Sequence, residues 1–152
     1  MLANPRDLIR DFIQVSMIAG TPISENQIRH EVITPPHNGL TLPSKNSVIY
    51  VFSLSSNPAL VLKVGKAGPK SGARFVSQHY LPGSCTSNVA KSVCVERHTW
   101  ELLGISSINE ETVGAWLRAY TDRDHFFIEQ GSLVLNLLEC FLQCRLKPLF
   151  EG

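Results

Sequence analysis

Four side chains in this 152-residue chain are of types that act on phosphate esters: Tyr50, Lys63, Arg74 and Glu139. Hydrolysing a phosphodiester needs an activated water, an electrostatic clamp on the phosphate and help for the leaving oxygen. A tyrosine hydroxyl can take the proton of the water directly or through a relay. Its ordinary pKa of about 10 means that it needs a nearby cation to do so. Lys63 is placed to be that cation. Arg74 offers a planar donor fork that grips phosphate oxygens and neutralises developing charge. Glu139 is the only charge in the middle of the apolar segment Leu133 to Leu142. A carboxylate there is costly unless it meets a cation, and Mg²⁺, Arg74 or both would serve. Mg²⁺ commonly uses one or two protein carboxylates and fills its shell with water and phosphate. Each residue also has a plain structural reading. Tyr50 is then a strand aromatic with its hydroxyl satisfied, Lys63 a surface stem, and Arg74 an ion-pair partner of Glu139.

Local elements must bring these residues together. Val48-Ile49-Tyr50-Val51-Phe52 and Leu60-Val61-Leu62-Lys63-Val64 are two apolar β-type runs, and Ser53 to Pro58 reads as the turn between them. Two residues on neighbouring strands and one face sit roughly 5 Å apart, which is the expected distance between Tyr50 and Lys63. Gly65 is expected to end the second strand, leaving its backbone open to a ligand. The loop Gly68 to Gly72 leads into a helix that carries Arg74 and stops near His79, Tyr80 and Pro82. Ser132 to Leu146 reads as a helix with Ser132 as N-cap and Pro148 as the stop, buried on most faces.

The rest of the chain supplies layers. Asn4 to Ala19 predicts an amphipathic helix, with Pro5 at its first position and Gly20 past its end. Glu25 to His30 predicts a short helical or turn segment, and Val32 to Gly39 an extended loop. Helices are expected over Ser87 to Leu103 and Asn109 to Tyr120, and a strand over Asp124 to Gln130. The expected fold class is α/β: a small domain over residues 47–152 with a three-stranded sheet flanked by helices. Residues 1–46 form an N-terminal helical cap or arm, because Leu8, Ile9, Phe12 and Ile13 need a surface to bury against.

Net charge is only +1, but its distribution is uneven. Between Val32 and Val95 there is no Asp or Glu, while Lys45, Lys63, Lys66, Lys70, Arg74 and Lys91 are all present. The remainder carries 8 cations against 13 acids. Such a field suits a polyanion, so Lys45, Lys66, Lys70 and Lys91 are candidate nucleic-acid contacts beyond the central four. No apolar run approaches the roughly 18 residues needed to span a bilayer, and Arg6, Asp7, Arg10 and Asp11 interrupt any secretory signal. The expected location is cytoplasmic. Cys140 and Cys144 lie one helical turn apart, and Cys85 and Cys94 complete the set. Their spacing does not match a zinc finger, and a cytosolic setting argues against disulfides.

At these residues the chain resembles the GIY-YIG nuclease superfamily. Val48-Ile49-Tyr50 matches the family's first motif with Val in place of Gly. Lys63-Val64-Gly65 matches the second with Lys in place of Tyr. Arg74 matches the helix Arg and Glu139 the single metal-binding Glu. Leu146 to Gly152 resembles the closing Pro-x-Phe/Tyr-Asn segment, with Glu151 where Asn is usual. The resemblance covers roughly Ser47 to Gly152. It implies a Mg²⁺-dependent DNA endonuclease of restriction, repair or mobile-element type, with Mn²⁺ as a substitute metal. It leaves single- or double-stranded DNA, and a homodimer or protein partner, open. The family's His, one turn beyond the Arg, falls on Gln78. His79 is one residue out of register, about 100° around a regular helix, so helix distortion must bring it in or Tyr80 or Gln78 takes the role. The substitutions at Lys63 and Glu151 also allow a catalytically inactive nucleic-acid-binding module or a partner-dependent subunit.

Overall fold

The computed structural model describes residues 2, 4–37, 46–69, 71–83, 89–129 and 131–150. Strand β1 spans Ile28–Ile33, β2 Ser47–Leu54, β3 Asn57–Ala67 and β4 Thr121–Ile128. They form one antiparallel sheet in the order β1-β4-β2-β3. The sheet therefore has four strands, not the expected three. The additional strand comes from the segment read as a short helical piece and a loop. Only Glu25–Gln27 is helical there, as a single 3₁₀ turn, and Ile28–Ile33 goes on as the partner of β4. The hairpin lies as the two apolar runs indicate, turning at Ser55 and Ser56. Pro58 falls inside β3, which is tolerable because β3 is an edge strand.

Helices cover both faces of the sheet. Helix α1 spans Pro5–Ile18 and α6 spans Ser132–Leu146. They lie on the face formed by Ile49, Val51, Val64, Phe126 and Ile128, into which Phe12, Leu138 and Leu142 are buried. The other face, Val48, Tyr50, Phe52 and Phe127, lies beneath α2 (Ala73–Val76), α3 (Val89–Val95) and α5 (Val113–Tyr120). With both faces covered, every residue of β2 after Ser47 is buried, which explains its nearly unbroken apolar run.

Three helical expectations change in detail. The helix expected over Ser87 to Leu103 breaks at Glu96, whose φ of −86° and ψ of 61° are not helical. A 3₁₀ turn and the short α4, Trp100–Leu103, follow the break. Helix α5 starts at Val113 because Asn109 to Thr112 form a side-chain-bonded turn, in which Asn109 Oδ1 accepts from the amides of Glu111 and Thr112. Helix α6 keeps the expected bounds, but Gly131 is its N-cap and its outer face is open, with Leu133 73% exposed. Its C-cap, Lys147, takes a left-handed conformation ahead of Pro148. Among the described residues no helix is long and apolar enough to cross a membrane.

Candidate functional site

Tyr50 points from β2 toward the α2 side, and across the hairpin it faces Gly65. A Cβ at position 65 would lie 2.4 Å from the Tyr50 hydroxyl and 2.5 Å from its Cζ. Gly65 therefore does not end its strand. It sits within β3, and what approaches its backbone is the ring of Tyr50. That ring is 2% exposed and is boxed by His79 at 4.4 Å, Phe75 at 5.8 Å and Phe52 at 6.0 Å between centroids. The bare Gly65 lets the phenol reach the floor of a groove of about 430 Å³.

The groove runs between β3 and α6, and Tyr50, Lys63, Arg74 and Glu139 all line it. Lys66 lines it as well. Lys63 pairs with Phe52, not Tyr50, so it is diagonal to the tyrosine at a strand spacing of roughly 7–8 Å rather than 5. Its Nζ donates to the Phe150 carbonyl at 3.4 Å. Arg74 is carried by α2 and donates from Nη1 to the Lys66 carbonyl at 2.6 Å. Glu139 is half-buried on α6, and its Oε2 accepts from Lys66 Nζ at 2.7 Å. The cation that answers this carboxylate is thus Lys66, a lysine read only as a nucleic-acid contact. Asn136 and Gln143 stand one turn to either side of Glu139 and line the same groove.

The distortion needed at His79 is present. Helix α2 ends at Val76, Ser77 adopts φ −137° and ψ −44°, and a 3₁₀ turn over Gln78–Tyr80 follows. This break swings His79 inward against Tyr50, where it is fully buried. Burial first, then the charges of Arg123, Arg74 and Lys63, hold its pKa well below 6.5. Tyr80 does not line the groove. Its hydroxyl accepts from Arg123 Nη1 at 2.6 Å and lies 3.0 Å from His37 Nδ1, and Arg118 stacks 3.6 Å over its ring. Lys91 is exposed on α3 and also lies off the groove. Lys45, Lys70 and Glu151 fall outside the described residues.

Two participants escape a reading of the residues alone. His125 is the β4 partner of Tyr50 and packs on Phe75 at 5.1 Å. Arg123, two residues earlier on the same strand, is fully buried. The strand expected over Asp124 to Gln130 leaves out Thr121 to Arg123, a run too polar to read as a strand, and with it the buried arginine.

Among the described residues no group of three His, Cys, Asp or Glu side chains is arranged to hold a metal ion. The groove does offer one carboxylate flanked by two amide side chains, a hard oxygen set of the kind Mg²⁺ accepts together with phosphate and water. Comparison with protein-family models, curated proteins and solved structures finds no match to the chain.

Proposed function

We propose that the groove between β3 and α6 binds a phosphodiester of DNA and cleaves it hydrolytically with Mg²⁺, as a small GIY-YIG-like nuclease. The observation that carries this reading is the convergence on one groove of Tyr50, Lys63, Arg74 and Glu139, which lie 13, 11 and 65 residues apart in sequence. Arg74 and Lys63 bind the phosphate from the α2 side, Arg74 with its guanidinium oriented by the Lys66 carbonyl. The Tyr50 hydroxyl, set over Gly65, accepts a proton from the attacking water. Buried His79 packs against the Tyr50 ring and keeps it in place. Glu139 would hold the metal, with Asn136 and Gln143 beside it. Mg²⁺ bound there supplies charge stabilisation at the phosphate and its leaving oxygen. The test is to incubate purified protein with labelled single- and double-stranded DNA in Mg²⁺, in Mn²⁺ and in chelator. Cleavage should require the metal. Intact DNA in every condition would overturn the reading.

The Lys66–Glu139 ion pair favours a second reading. Its ammonium already neutralises the carboxylate in the place a metal would take, as befits a nucleic-acid-binding module without catalysis. DNA that is bound but never cut, by the wild type and by Lys66→Met alike, would establish it.

A further inference from the structure

Beneath the α2 and α5 layer, away from the groove, Arg123 is fully buried on the central strand β4. One of its donors, Nη1, is satisfied by the Tyr80 hydroxyl at 2.6 Å. Its Nε and Nη2 are buried and have no hydrogen-bond partner among the described residues. His37 meets the same hydroxyl through Nδ1, while its Nε2 makes no hydrogen bond of ordinary geometry, although backbone groups of Thr121 and Ile33 interact with the ring. His125, on the same face of β4, has none at either ring nitrogen. These groups surround one aromatic pair. The guanidinium carbon of Arg123 lies 5.0 Å from the Phe75 ring centre and 5.9 Å from that of Phe52. His125 packs on Phe75 at 5.1 Å and His37 on Phe52 at 6.1 Å.

The charge is as poorly matched as the donors. A guanidinium does not give up its proton in a protein, so it must be buried as a cation. Asp122 and Asp124 flank it in sequence and alternate to the opposite side of the strand. Asp122 accepts from Ser55 Oγ at 3.0 Å, and Asp124 accepts from the Leu2 amide at 3.0 Å and pairs with His30 Nε2 at 2.7 Å. Glu31, opposite His125 on β1, pairs with Arg29 at the surface. Residues 38–45 and 84–88 contain no Asp or Glu. Arg118 adds a second cation over Tyr80.

We propose that Arg123 is the centre of a buried binding site for a small monovalent inorganic anion of the halide class, with His37 and His125 as its neutral neighbours. Water would satisfy the open donors but would leave the cation without a counter-charge among the described residues. A monoanion answers both needs. Burial and then Arg123 lower His37 to about 4 and His125 to about 2, so at neutral pH neither imidazole adds a charge, and His125 offers an open N–H donor. Arg118 is only partly buried and donates to the His37 and Val76 carbonyls, so Arg123 is the one fully buried guanidinium to balance, and one negative charge balances it.

Thermal and chemical unfolding of the full chain in chloride or bromide, against fluoride or gluconate at equal ionic strength, tests the site. Chloride and bromide should stabilise saturably, shifting the unfolding equilibrium about a hundredfold at a hundred times Kd. Arg123→Met should abolish that dependence, whatever its own stability. Bromide-soaked crystals should place the ion within hydrogen-bond distance of Arg123 Nε and Nη2, an arm that holds even if Arg123→Met fails to fold. Unfolding that ignores halide identity, together with no bromide at Arg123, would overturn the proposal. So would a Glu151→Gln variant that loses stability while the wild type shows no halide effect, because the counter-charge would then belong to the chain.

Discussion

Gly65→Ala isolates the contact that shapes the groove floor. The added Cβ would lie 2.4 Å from the Tyr50 hydroxyl and 2.5 Å from Cζ, where ordinary contacts begin at 3.4 Å. Retreat of the ring is blocked by His79, Phe75 and Phe52, and Tyr50 is 2% exposed. Overpacking a closed core costs about 1–3 kcal/mol. Replacing Gly by Ala returns about 0.4–1 kcal/mol by restricting the unfolded chain. The net expectation is a loss of about 1–2 kcal/mol, or roughly 2–8 °C in Tm for a chain of this size. A double-mutant cycle localises the cause. Tyr50→Phe removes the hydroxyl but keeps Cζ, so Gly65→Ala should remain costly in that background. Tyr50→Leu removes both atoms, and there the alanine should be neutral or stabilising. The coupling with Leu should reach about 1 kcal/mol or more in denaturant titrations. A Gly65→Ala protein as stable as the wild type would refute the close approach.

Other expectations follow from the same geometry. His37, His79 and His125 are held below 6.5, by burial first and by Arg123 next, so the unfolded state binds more protons as pH falls below that value. Stability should therefore be full above about pH 7.5 and drop by about 4 kcal/mol between pH 7.5 and 5.5, with further loss toward pH 4. Denaturant titrations across that window measure it, and a flat profile would show that the three imidazoles are not buried neutral. Glu139→Ala should abolish Mg²⁺-dependent cleavage with its circular dichroism unchanged, and near-wild-type cleavage would move the metal elsewhere. Tyr50→Phe should lower cleavage roughly 10²-fold with little change in DNA affinity, and an unchanged rate would leave Tyr50 a packing aromatic. DNA affinity should fall steeply with salt, and Lys66→Met should flatten the log–log slope by about 1.

How much was legible depended on whether a segment's neighbours were local. The hairpin, α1 and α6 were readable because their periodicity, caps and turn residues lie within their own spans. Strand β1 was not, because Ile28–Ile33 mixes charged and apolar residues at a sheet edge, where pairing with β4 decides its conformation. The start of β4 was hidden for a related reason. Its Asp122, Arg123 and Asp124 are buried with partners far away in sequence: Ser55, Tyr80 and His30. The register of Lys63 could not be read to one residue, because the irregularity between Phe52 and Ser53 appears only in the paired strands. His79 was placed one step off its useful face because the break at Ser77 has no proline or glycine to announce it.

The strand order sets a schedule for synthesis. Among the described residues strand β4 is the only partner of β1 and the only strand on the second edge of β2, yet it comes at residues 121–128. A nascent chain that stops short of it has a hairpin with both outer edges open and a first strand without its β4 partner, both templates for joining other chains. Sheet closure must wait for the insertion of a strand whose leading half, Asp122 to His125, is polar. That polarity keeps the late strand soluble until it is inserted, and Arg123 loses water only when the gap between β1 and β2 closes around it.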